Sequence, residues 1–140
     1  MERTQMKSSL ASSGAVEINA PRMLVVGSVL WLLGTIGLRI FGQYIFHPDN
    51  PIAIVALLLI SFPPMFLLVR KICADAKIPV EQWPLAAIVL LTPTFVMDTL
   101  SSSMFSIFYP NIDQRAAGLY GGWIIWCIGA ALLGVIVKRR

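Results

Sequence analysis

Apolar residues fall into four long runs, at about 22–46, 51–69, 84–109 and 117–137, separated by short polar segments. Each run is close to the roughly 20 residues that an α-helix needs to cross a bilayer core. The pattern predicts four transmembrane helices packed as a compact all-α bundle. Short connections leave no room for a large extramembrane domain, so 22–140 reads as one membrane domain. Residues 1–21 are polar and rich in Ser and Ala. No small-residue cleavage site follows, so they read as a flexible cytoplasmic tail and not as a signal peptide.

The connections carry their own signals. In His47-Pro48-Asp49-Asn50-Pro51, Asn50 is placed to cap the second helix, and Pro51 suits a first helical position that needs no N–H. Trp83-Pro84 opens the third run, and Pro110-Asn111-Ile112-Asp113-Gln114-Arg115 separates it from the fourth.

Composition points to lipid as the solvent. The chain is 57% hydrophobic and 13% charged, with mean hydropathy +0.78, whereas soluble domains carry about 25% charged residues. A net charge of +4 does not indicate nucleic acid, because the basic residues flank the apolar runs and form no soluble patch. Arg3, Lys7 and Arg22 precede the first run; Arg70, Lys71 and Lys77 lie between the second and third; Lys138, Arg139 and Arg140 follow the fourth. The other two connections hold Arg115 alone. Because basic residues are retained on the cytoplasmic side, both termini are expected inside and both hairpins outside. Tyr44, Phe46, Tyr109, Tyr120 and Trp123 then fall near the outer interface, as an aromatic belt would.

Arg39 and Asp98 are the ionisable residues well inside the runs. At 1.5 Å per residue they lie roughly 10 and 15 Å from the hairpin end, a difference that a snorkelling Arg can span. Such residues usually face protein or water and pair, so an intramembrane Arg39–Asp98 pair is expected, either a structural link or an ion or proton site. Thr94, Asp98, Ser102 and Ser106 recur every four residues, with Ser101 beside them. This places a polar stripe on one helix face, facing either a cavity or a neighbouring helix. Pro63, Pro64 and Pro93 predict kinks near the midplane. Gly118 and Gly122 form a G-x-x-x-G pair that permits close packing within the bundle or between copies, and the sequence leaves both open. There is no His cluster, no paired carboxylates and no activated nucleophile. The expectation is therefore no enzyme, no catalytic residue, no metal and no cofactor.

Arg39-Ile40-Phe41-Gly42-Gln43, Phe46-His47-Pro48, Pro93 followed by Asp98, Tyr109-Pro110-Asn111 and Gly118-Leu119-Tyr120-Gly121-Gly122-Trp123 resemble an uncharacterised bacterial family of small four-helix membrane proteins over about 23–137. The resemblance implies a bacterial inner-membrane setting and brings no activity with it. The chain differs from the small multidrug resistance transporters, which look for their essential acid in the first span, where this chain has Arg39 and no acid. On these features the first reading is a small accessory or interaction protein, its partners being the bilayer and either copies of itself or another membrane protein. The alternative is an oligomeric transporter or channel-like subunit for a small solute or ion, using Asp98 and the Ser-rich face.

Overall fold

The computed structural model describes residues 18–137. The expected tail therefore falls almost wholly outside the described residues, together with Arg3, Lys7, Lys138, Arg139 and Arg140. The protein is all-α. Its helices are α1 (Ala20–Ile45), α2 (Pro51–Asp75), α3 (Trp83–Ser103), the single turn α4 (Phe105–Phe108) and α5 (Ala117–Ile136), with 3₁₀ turns at Val80–Gln82 and Gln114–Ala116. Four of these helices are long and apolar enough to cross a membrane.

Local chemistry sets the boundaries. The Asn19 side chain accepts from the Arg22 N–H at the start of α1, and Asn50 accepts from the N–H groups of Ile52 and Ala53 at the start of α2. Both helices carry Pro in the first turn, where a missing N–H loses no bond. α2 runs past the expected stop at Arg70-Lys71 and ends at Asp75, where Lys77, at φ 55°, takes a left-handed turn. The Lys77 N–H then reaches the Ala74 carbonyl, and the Ile78 N–H reaches that of Cys73. This is the paired closure that satisfies the last helical carbonyls, with Ile78 packing back on Cys73 in the same core.

The third apolar run, expected as one helix over 84–109, breaks at Met104 (φ −115°, ψ 39°). Ser101 and Ser103 donate to the carbonyls of Asp98 and Thr99. Such bonds from a Ser run compete with regular helix geometry. Pro63 and Pro64 sit inside α2 and Pro93 inside α3, and both helices continue through them. Ser61 and Thr92 bond the carbonyls of Leu58 and Ile88, each one residue before a carbonyl whose partner the proline removes.

α1 packs along α3, α3 along α5, and α5 along α2, with a lighter contact between α2 and α3. Glycines permit two of these approaches. A Cβ on Gly27 would run into the Leu90 carbonyl oxygen across the α1–α3 crossing, and one on Gly134 into the Phe66 carbonyl oxygen across α2–α5. An added Cβ at Gly118 or Gly122 would meet nothing within 4 Å, so these two are not packing positions within the bundle. Arg70 donates to the carbonyls of Gly134 and Val137 at 2.7 and 3.1 Å, closing the end of α5 from α2. Its guanidinium also lies over the rings of Phe66 and Trp83.

The buried side chains form two separate cores. At the end bearing the termini, Met23, Val69, Cys73, Ile78, Ala86, Leu90 and Val135 pack together with their neighbours. At the hairpin end, Phe46, Phe105, Tyr109, Ile112 and Tyr120 make an aromatic cluster. Tyr109 and Tyr120 are almost wholly enclosed, at 0% and 1% exposure, and Phe46 is buried with them. The expected aromatic belt is therefore corrected. Tyr44 does face outward, but Phe46 meets Tyr120 edge-on inside and Tyr120 packs tilted against Tyr109, where the two phenols find each other at 2.9 Å.

Candidate functional site: an intramembrane cavity with one carboxylate

Between the two cores lies a cavity of about 480 Å³, within the size range of small-molecule pockets. Leu90, Val69 and Ala131 of the first core form one end wall, and Leu38, Tyr109 and Tyr120 of the second form the other. The sides come from Trp31 and Gly34 on α1, Met65 and Leu68 on α2, Thr94 and Asp98 on α3, and Trp123 and Cys127 on α5. The lining is mainly apolar, and among the described residues Asp98 supplies its one carboxylate.

Asp98 is held from α1. Its Oδ1 accepts a 2.9 Å hydrogen bond from the Trp31 indole N–H, a part-buried contact. One turn on, the wholly buried Ser101 donates to the Asp98 carbonyl at 3.2 Å and shares a 2.9 Å bond with the Tyr120 hydroxyl, which in turn meets Tyr109. A row of hydroxyls thus runs from the Asp98 turn into the hairpin-end core, fixing α3 against α5. Trp123, also on the wall, keeps its buried indole N–H without a hydrogen-bond partner.

The expected Arg39–Asp98 pair is not formed. Ion pairs among the described residues join Lys71 to Asp75 and Arg115 to both Asp49 and Asp113. Arg39 lies on the outside of α1 and donates to the Phe108 carbonyl at 3.3 Å. The helix break at Met104 sets the short α4 apart from α3, and the carbonyl at its far end offers a long cation a partner near the hairpin end. Asp98, on the cavity side, is satisfied by an indole.

The polar stripe divides in the same way. Thr94 and Asp98 face the cavity and Ser101 the protein interior, whereas Ser102 is half-buried and Ser106 exposed. The four-residue period fails beyond Met104 because the helix does. Sequence reasoning passed over Trp31, and it assigned Tyr109 and Tyr120 to the interface instead of to the site. A Trp in the middle of a span was a usable signal. Tryptophans collect at membrane interfaces, and one at mid-depth has an N–H that needs an acceptor.

The two hairpins are tied to each other. Arg115 reaches Asp49 across the turns at 3.0 Å and Asp113 at 2.7 Å. That cation holds the Asp113 carboxyl below its ordinary value, although exposed pairs of this kind contribute little to stability.

The model of a family of unknown function, DUF5367, matches residues 45–140. The chain belongs to that family. The DUF5367 match takes in α2, α3, α4 and α5, hence Asp98, Ser101, Tyr109 and Tyr120, while Trp31 and Arg39 on α1 lie before it. No match to a curated protein or to a solved structure was found. Membership agrees with the resemblance read from the sequence, and it too brings no activity.

Proposed function

We propose that this multi-pass membrane protein binds a small solute inside its helix bundle and carries it across the membrane, with Asp98 as the group that engages the solute. The observation that carries this reading is the cavity of about 480 Å³ held open between two packed cores, with one carboxylate in its wall. An ionisable side chain in a membrane span has a functional explanation by default, and here it faces space large enough for a ligand. The accessory reading drew on packing explanations for the same residues. Those explanations weaken when Arg39 and Asp98 bond elsewhere and when Ser106 points outward, while the exposed Gly118 and Gly122 leave contact between copies open.

A broad panel of compounds tests this without the solute being identified first. Cells producing the wild-type chain and cells producing Asp98→Asn at equal membrane levels are compared for accumulation of acidic, basic, neutral-polar and apolar compounds. At least one compound should differ several-fold from empty-vector cells and return to the vector level with Asp98→Asn. A panel with no difference, or one whose differences survive the substitution, counts against transport through this site.

We place the chain in a bacterial cytoplasmic membrane on its family resemblance, with both termini inside on the distribution of Lys and Arg. Reporter fusions at the C-terminus should read cytoplasmic, and insertions beside Asp49 and Asn111 external. A C-terminus that reads external reverses the assignment.

A further inference from the structure

The cavity has an open side, and its position restricts what can enter. The termini-end core closes one end and the aromatic cluster the other. Around the bundle, α3 joins α1 to α5 and α5 joins α2, but α1 and α2 do not pack along each other despite being linked by a short turn. Both contribute to the cavity, α1 through Trp31, Gly34 and Phe41, and α2 through Met65 and Leu68. The helices thus form a ring left open between α1 and α2, in the direction of the lipid tails.

Charge restricts the occupant further. Among the described residues, Asp98 is the one Asp or Glu in the lining, and no Lys, Arg or His shares it. The nearby arginines are engaged elsewhere: Arg39 with the Phe108 carbonyl, Arg70 with the carbonyls of Gly134 and Val137, and Arg115 with Asp49 and Asp113. The remaining walls carry the rings of Trp31, Phe41 and Trp123, while Tyr109 and Tyr120 close the end behind them. Aromatic faces attract cations, more strongly where water is excluded, and a lone carboxylate in such surroundings lacks only a positive partner.

Resting on the proposed binding role of this cavity, we infer that its ligand is a lipophilic organic cation, taken from the bilayer through the gap between α1 and α2 and held with its charge at Asp98. The apolar bulk of the ligand replaces lipid against the lining, and its charge supplies the partner that Arg39 does not.

Three probes separate the parts of this inference. Tetraphenylphosphonium and tetraphenylborate have nearly the same shape and opposite charge, and tetramethylammonium has the cation's charge but stays in water. Binding to the full chain in lipid nanodiscs is measured by equilibrium dialysis and by Trp fluorescence. Tetraphenylphosphonium should bind at least tenfold more tightly than either of the others. Asp98→Asn should weaken it at least tenfold. Gly34→Trp, at a cavity-lining position where an added Cβ meets nothing within 4 Å, should fill the cavity and abolish binding while the protein stays monodisperse. Equal binding of the two tetraphenyl ions, or unchanged tetraphenylphosphonium affinity in Asp98→Asn, overturns the cation assignment. If Gly34→Trp still removes that binding, the cavity remains a ligand site, and Asp98 keeps its place in the proposed function only where Asp98→Asn weakens binding. Effective competition by tetramethylammonium overturns the lipid route. No tetraphenylphosphonium binding overturns the whole inference, leaving the proposed function to the accumulation panel.

Discussion

Gly27→Ala and Gly134→Ala should each sharply reduce the yield of folded protein, although alanine is usually the more favourable residue in a helix. At both positions the new Cβ meets a backbone carbonyl of the facing helix, Leu90 in one case and Phe66 in the other. A flexible side chain could move aside, but a carbonyl cannot move without its helix. The crossing must therefore widen, and every contact around it loosens. Overpacking of this kind costs about 1 to 3 kcal/mol, and Leu in place of Ala should cost more. Gly134 carries a second liability, because its carbonyl accepts the 2.7 Å bond from Arg70. Pushing α5 away from α2 strains that bond as well. Gly118→Ala and Gly122→Ala are the controls, since nothing lies within 4 Å of the added atom. Unfolding in mixed micelles, with the monodisperse fraction read by size exclusion, should separate the two pairs. Equal loss at all four positions would show that the crossings are not set by these glycines.

Those four glycines also show what the sequence could and could not reveal. Spacing singled out Gly118 and Gly122 in the last span, but spacing alone does not say which face meets a neighbour. G-x-x-x-G at Gly118 and Gly122 was the more conspicuous pair, yet it is Gly27 and Gly134 that touch backbone. The spans themselves were legible because apolar length is a one-dimensional property, and the Asn50-Pro51 start was legible because capping is local. The end of α2 was not, since it depends on Lys77 taking a left-handed conformation that its residue type does not announce. The cavity was legible only as one of two readings of the polar stripe, and neither its place nor its size could be read. It exists because the buried residues divide into two cores with space between them, and that depends on which helices pair.

The largest energetic coupling in the site should lie between Trp31 and Asp98, with none between Arg39 and Asp98. Trp31→Phe keeps an aromatic ring, though a smaller one, but removes the N–H, leaving a carboxylate in mainly apolar surroundings without its donor. Hydrogen bonds to charged groups contribute about 1.5 to 3 kcal/mol, and an acceptor stranded by loss of its partner costs a similar amount. Asp98→Leu strands the indole N–H instead, whereas Trp31→Phe with Asp98→Leu strands neither. The double variant should therefore be destabilised by less than the sum of the two single changes, with a coupling of about 1.5 kcal/mol or more. For Arg39 the outcome differs. Its guanidinium bonds the Phe108 carbonyl and makes no ion pair with Asp98. Losses from Arg39→Gln and Asp98→Leu should add to within about 0.5 kcal/mol, as they do for sites without a shared partner. Asp98→Asn sharpens the comparison, since its side-chain oxygen can still accept from Trp31 and its stability should stay near wild type. A solute effect lost in Asp98→Asn while the fold is retained then reports on the carboxylate's charge and not on packing. Strong coupling between Arg39 and Asp98, with additive losses for Trp31 and Asp98, would mean that the two charges meet across the bundle after all, and a cavity whose one acid is already neutralised by arginine would have no need of a cationic ligand.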